Sequence, residues 1–178
     1  KRKIKFSKKI FFKNPINIVS NPNIDVIFEL IGFPDGVSKK IVETALKNKK
    51  HVITANKALI AKNGDYLSLI AEKNKVNLEF EASVCGGVPI IRSLKESLIA
   101  NKISRIYGIL NGTSNYILST MDKQNNSFKE VLLNAKKLGY AESNPSADLN
   151  GDDVSSKLKI LSSFCFNSFL HNNIYVEG

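Results

Sequence analysis

The 178-residue chain has no tryptophan, one methionine, two cysteines and two histidines. Cys85 and Cys165 lie far apart with no C-x-x-C pair, and His51 and His171 stand at no metal-ligand spacing from them. A disulfide framework and a zinc site are therefore not expected; two reduced thiols in a cytoplasmic protein are. Long apolar runs are also absent. Val26–Phe33 and Ile160–Leu170 are short or broken by polar groups, so no segment approaches the ~20 residues of a membrane span. Arginine is scarce, at 3 against 23 lysines. Bidentate readers of bases and phosphates lean on arginine, so the net charge of +10 is weak evidence for a nucleic-acid partner. Seven basic residues and no acid fall within residues 1–13 (KRKIKFSKKIFFK), so the excess sits mainly in a leader. Lys13 ends the apolar Ile10-Phe11-Phe12 run before a secretory core could form.

What is present is a globular composition, 43% hydrophobic and 24% charged, enough to bury a core. From Ile24 onward, strand-length apolar runs alternate with segments of helical period, the pattern of strand and crossover-helix units around a parallel sheet. Asp25–Ile31 reads as a strand ending at Gly32. Val37, Ile41, Val42, Ala45 and Leu46 lie at helical spacing. His51–Thr54 is a second strand, followed by a helical stretch interrupted at Asn63-Gly64, and Val76–Ser83 is a third. After Gly86-Gly87 the texture changes. The pattern predicts helices over Ile90–Ala100, Ser114–Gln124, Phe128–Leu138 and from Asp152 to about Phe166, strands at Ile103–Leu110 and Asn172–Gly178, and a polar loop at 139–151. Three parts follow: a poorly defined basic leader at 1–24, a parallel-sheet region at 25–86 and a mixed region at 87–178.

In open parallel sheets, ligands bind beyond the carboxyl ends of the strands. Gly32, Thr54-Ala55-Asn56-Lys57 and Ser83-Val84-Cys85-Gly86-Gly87 stand at those ends. Taken singly, each is equally a turn glycine, a solvated helix-start lysine or a hinge. In the second half, Asn111-Gly112-Thr113-Ser114-Asn115-Tyr116 reads as a turn followed by an N-cap Thr or Ser. Asp153 and Lys157 share one helix face, as an ordinary surface ion pair or as a lysine tuned for proton exchange.

Taken together and in order, HVITANKALIAKNGDYL, NLEFEASVCGGVPIIRSL, YGILNGTSNYIL and LGYAESNPSADLNGDDVSSKLKIL resemble homoserine dehydrogenase from about Asp25 to Gly178. The resemblance implies an α/β fold: the C-terminal part of a Rossmann-like, NAD(P)-binding domain at 25–86, then a truncated α+β substrate-binding, catalytic and dimerisation domain at 87–178. It implies NAD(P)-dependent interconversion of aspartate semialdehyde and homoserine in threonine and methionine biosynthesis. Lys57 would lie beside cofactor and substrate and Lys157 would be the proposed acid/base lysine; both would be catalytic, and the resemblance does not choose which of the two carries the proton. Glu142 and Asp153 would contact substrate, and Ile31 and Gly32 would approach the nicotinamide by backbone. Glu81, Val84, Gly86 and Val88 would surround sodium or potassium, and Cys85 would be a small buried thiol where Ala or Gly is usual. The implied partners are the small-molecule substrate, a second subunit and, in some parents, an aspartate kinase domain; neither membrane nor nucleic acid is among them. The family's G-x-G-x-x-G turn has no counterpart, since residues 1–24 contain no glycine. The alternative is therefore a non-catalytic remnant or subunit that keeps the fold and lacks a complete cofactor site.

Overall fold

A computed structural model describes residues 10–166 and 174–177. The chain divides into two compact units between Gly86 and Gly87. The first is built on a three-stranded parallel sheet in the order β1-β2-β3, with β1 at Val26–Glu29, β2 at His51–Thr54 and β3 at Leu78–Glu79. Helix α1 (Pro15–Val19) precedes the sheet, α2 (Val37–Lys47) connects β1 to β2, and α3 (Lys57–Asn74) connects β2 to β3. This is the expected α/β arrangement.

Period-two alternation sorts the strand side chains. Ile27 and Glu29 of β1 are buried, as are Val52 and Thr54 of β2, while Val26 and Phe28 point to the exposed face. The apolar stripes of α2 (Ile41, Val42, Ala45, Leu46) and α3 (Leu59, Ile60, Leu67, Ala71) close the core. At roughly 1.5–3 kcal/mol per fully buried large aliphatic side chain, this layer is the main stabilising feature of the unit.

Three details depart from the sequence pattern. The stretch read as an undefined leader contains α1, which starts with Pro15 behind an Asn14 cap and buries Val19. Buried Lys50 donates to the carbonyls of Asn21 and Ile24, and Asn48 Nδ2 donates to Val19 O at 3.0 Å, so residues 14–24 belong to the folded unit. Residues 1–9 lie outside the described region. Helix α3 runs unbroken through Asn63-Gly64, because both residues face inward and Asn63 Nδ2 donates to Pro34 O at 3.0 Å. The third strand is only Leu78–Glu79. Ser83 bonds Phe80 O through both its N–H (2.9 Å) and its hydroxyl (2.6 Å), which turns residues 81–83 into a 3-10 helix in place of a longer ladder.

The second unit is helical among the described residues. Helix α4 (Ile90–Arg92) passes into a π-helical turn at Ser93–Ser97, where Ser93 Oγ bonds back to Pro89 O at 2.7 Å. Helices α5 (Gly112–Gln124) and α6 (Phe128–Leu138) form a hairpin around Ile117, Val131, Ala135 and Ala141. Helix α6 begins with a reciprocal capping box between Ser127 and Glu130 and ends at left-handed Gly139. The Tyr116 and Tyr140 rings stack at 4.5 Å. Helices α7 (Ser146–Leu149) and α8 (Asp152–Phe166) follow.

Ile103–Leu110 is not a strand. Its alternation has no ladder partner among the described residues, and Tyr107 and Ile109 are 88% and 76% exposed; strand propensity without a partner strand is insufficient. Ile174–Glu177 likewise has no regular structure, while Asn172, Asn173 and Gly178 lie outside the described residues. The segment instead crosses Gly151, whose φ is +79° and where an added Cβ would come within 2.5 Å of Val176 Cγ1. Gly151→Ala is expected to lower stability by about 1–3 kcal/mol through backbone strain and overpacking, measured by chemical denaturation. An unchanged midpoint would refute that packing.

Candidate active site

In the first unit, the loops after β1 and β2 are joined by buried polar groups at the carboxyl edge of the sheet. Glu29 and Thr54 are register partners. Their side chains share the buried face, at 2% and 0% exposure. Thr54 Oγ1 donates to Glu29 Oε2 at 2.7 Å and accepts from the Asn56 amide at 2.9 Å. Glu29 Oε1 accepts from the Ile31 amide at 2.8 Å. Asn56 caps α3 by accepting from Leu59 N at 3.1 Å, and its Nδ2 donates to Phe33 O at 2.7 Å.

This arrangement places Ile31 and Gly32 on an exposed loop tip and Lys57 as the first residue of α3, half-buried. Gly32 has φ +98° with open space around it, so the glycine is required by conformation and not by crowding. Lys57 adds a cation to the positive end of the α3 dipole, where no acidic residue stands in the first turn. Position there works slightly against helix stability and concentrates positive potential beyond the sheet edge.

The next loop carries Glu81, Val84 and Gly86. Glu81 opens the 3-10 helix, Val84 is buried with extended backbone, and Cys85 and Gly87 have positive φ of 51° and 84°. A left-handed Cys85 explains why a glycine would suit that position. Cys85 is half-buried, not fully buried as expected, and the two glycines that follow it are exposed. No group of three or more His, Cys, Asp or Glu side chains able to hold a metal occurs among the described residues. What the loop offers is one carboxylate and backbone carbonyls, the oxygen donor set of a hard cation. Val88, the fourth expected ligand, follows in the second unit, where its carbonyl accepts from Ile90 N at 2.8 Å.

In the second unit, Lys157 and Asp153 form a close pair, Nζ to Oδ2 at 2.7 Å, with side chains 17% and 10% exposed. Lys157 Nζ also donates to Leu110 O at 2.6 Å. An ammonium has three N–H donors, so the third remains for an added oxygen. Burial removes the pair from the class of solvated surface ion pairs that contribute a few tenths of a kcal/mol.

Asn111 organises this cluster. Its Nδ2 donates to Asp148 Oδ1 at 2.8 Å and to Asp153 Oδ2 at 2.9 Å, and its Oδ1 caps α5 by accepting from Ser114 N at 2.7 Å. Thr113 Oγ1 lies 2.6 Å from Tyr140 O and 3.0 Å from Asp148 Oδ2. Asn111 and Asp148 join the two expected residues, and the signal that could have found Asn111 was its place as an N-cap facing the DLNGDD segment. Glu142 is exposed in the turn after Tyr140 and makes no hydrogen bond or ion pair with Lys157 or Asp153 among the described residues.

Beside the cluster lies a cavity of about 410 Å³. Its walls are mainly carbon, from Ile117, Leu118, Phe128, Leu149, Val154 and Leu158. A substrate with charged groups is matched by the polar cluster and not by those walls.

Two family models match the chain: "Homoserine dehydrogenase, NAD binding domain" over residues 3–81 and "Homoserine dehydrogenase" over residues 89–178. The first begins well before Asp25, so the similarity includes most of the basic leader. The homoserine dehydrogenase of Neisseria gonorrhoeae is 44% identical over 169 residues, 94% of this chain and 39% of that protein. The crystal structure of a homoserine dehydrogenase from Thiobacillus denitrificans superposes with a TM-score of 0.88 at 44% identity, covering 93% of this chain and 38% of the other. A hyperthermophilic archaeal homoserine dehydrogenase in complex with NADPH superposes with a TM-score of 0.80 at 29% identity, over 86% of this chain and 47% of the other. The chain thus spans about two fifths of the length of the curated relatives it matches.

Replacing Asn111 by Ala removes a helix cap and leaves two carboxylates short of a donor. The expected loss is about 2 kcal/mol in chemical denaturation. A loss below about 0.5 kcal/mol would show that the cluster does not depend on Asn111.

Proposed function

We propose that this chain, which belongs to the homoserine dehydrogenase family, carries the chemistry of an NAD(P)-dependent oxidoreductase that interconverts L-aspartate 4-semialdehyde and L-homoserine. The observation that carries the reading is Lys157, held by Asp153 and Leu110 O with one N–H to spare. In this reading, residues 25–86 are part of the cofactor domain and residues 87–178 are the substrate-binding and catalytic region.

When bound, a nicotinamide dinucleotide would supply hydride chemistry at the aldehyde carbon. Lys157 donates its remaining N–H to the carbonyl oxygen and transfers a proton as alkoxide charge develops; in the oxidative direction it takes that proton back. Asp153 holds the ammonium in place and balances its charge. Glu142, exposed in its turn, meets the amino group of the substrate. Lys57, at the start of α3, adds positive potential beside the cofactor and substrate. The Ile31-Gly32 backbone would hold the nicotinamide end, presented on the exposed loop tip by the left-handed Gly32.

Glu81 with the carbonyls of Val84, Gly86 and Val88 would hold sodium or potassium, a structural cation with no electron to exchange. The working protein is cytoplasmic and a homodimer or higher oligomer, in some parents fused to an aspartate kinase. No helix among the described residues is long and apolar enough to cross a membrane.

In the full-length protein that contains this chain, Lys157→Ala is expected to reduce kcat for NADPH-dependent reduction of aspartate semialdehyde by roughly 10²- to 10⁴-fold, while NADPH affinity stays within about twofold of the unsubstituted protein. Unchanged kcat would remove Lys157 from the reaction. Absence of reduction and of NADPH binding in the unsubstituted protein would overturn the reading in favour of a non-catalytic remnant.

A further inference from the structure

Glu29 is an ionisable residue at the carboxyl end of the otherwise apolar strand β1, almost fully buried, and the chemistry above does not use it. Both of its oxygens are engaged, one by the Ile31 amide at 2.8 Å and one by the Thr54 hydroxyl at 2.7 Å. Burying a carboxylate is costly unless it is fully hydrogen-bonded. A valine or isoleucine would continue the strand pattern at lower cost, so packing alone does not account for the acid.

What the carboxylate does is geometric. Through Ile31 it fixes where the chain leaves β1, two residues beyond its own Cα. Through Thr54, which in turn accepts from Asn56 N at 2.9 Å, it fixes the exit from β2. Asn56 then reaches back to Phe33 O at 2.7 Å. The Ile31–Phe33 tip is thereby held at its first amide and its last carbonyl. Gly32, left-handed and exposed, is the residue presented between those two holds.

We propose that Glu29 is a positioning residue for the dinucleotide: its carboxylate locks the loops after β1 and β2 into one preformed backbone surface on which the nicotinamide end docks. The inference rests on the reading of Ile31, Gly32 and Lys57 as the cofactor edge. Preorganisation lowers the ordering cost of binding, so loosening the lock weakens cofactor affinity while the Lys157 cluster, in the other unit, keeps its own hydrogen bonds.

The test uses the full-length protein and NADPH. Glu29→Gln preserves shape; its amide oxygen can still accept from Ile31, while its NH2 faces the Thr54 hydroxyl and reverses that bond. Thr54→Val removes the hydroxyl, and Thr54→Ser restores it. The expected result is an NADPH Kd and KM raised roughly tenfold to a hundredfold in Glu29→Gln and Thr54→Val, with kcat at saturating NADPH within about twofold and recovery of affinity in Thr54→Ser. A purely structural role would lower thermal stability and active fraction without this split between KM and kcat. If Glu29→Gln does not fold, the Thr54 pair decides. NADPH affinity unchanged in Thr54→Val overturns the proposal alone, provided the unsubstituted protein binds NADPH. Failure of the unsubstituted protein to bind NADPH overturns the cofactor reading and this inference with it.

Discussion

The hydrogen bond from Thr54 Oγ1 to Glu29 Oε2 joins two side chains that are neighbours in a parallel ladder and wholly out of water. In such surroundings a charge-assisted bond is stronger than in solvent, and an unmade one is expensive. Strand register, loop exit and helix cap must therefore be satisfied together. If the β1–β2 register slipped by one residue, Glu29 would turn to the exposed face and the link to Thr54 would be lost. The positions of Ile31, Gly32 and Lys57 all follow from this one constraint.

The second unit solves the same problem with an amide. Asn111 has both an acceptor and two donors, so one side chain can cap α5 and also bridge Asp148 and Asp153. Two carboxylates near each other repel, and the amide between them, with the Lys157 ammonium beyond, makes their approach tolerable. Helix α8 thereby delivers Asp153 and Lys157 in one orientation, with Leu110 O completing the hold on the ammonium. In both units, helix N-caps are drawn into the polar clusters that define the site edges.

Much of the architecture was legible in the linear pattern because its periods are local. Strands β1 and β2 and helices α2, α6 and α8 lie where apolar spacing, caps and glycine predict them. The failures are where a local preference met a non-local one. Asn63-Gly64 reads as a break, yet burial carries α3 straight through it. Ile103–Leu110 has the composition of a strand and no partner among the described residues. Residues 14–24 look like the tail of a charged leader, but an Asn-Pro helix start and the buried Lys50 ammonium bring them into the fold. Glu29 carries no local mark within DVIFELI, because nothing in its neighbourhood shows that Thr54 stands opposite.

The parallel α/β order, the helix pair near Asn111 and the family to which the chain belongs are all written in the linear chain, since these depend on periodicity and on motifs of contiguous residues. The linear chain also places Asp153 and Lys157 on one helix face, because four residues are just over one turn. Folding in three dimensions is what buries the pair, gathers Asn111 and Asp148 around it, and sets a carboxylate inside the sheet against the loop at Gly32. The physical reason is that these are hydrogen bonds between residues 25 to 47 positions apart. Their partners are chosen by strand pairing and helix packing, and no local window of sequence contains both.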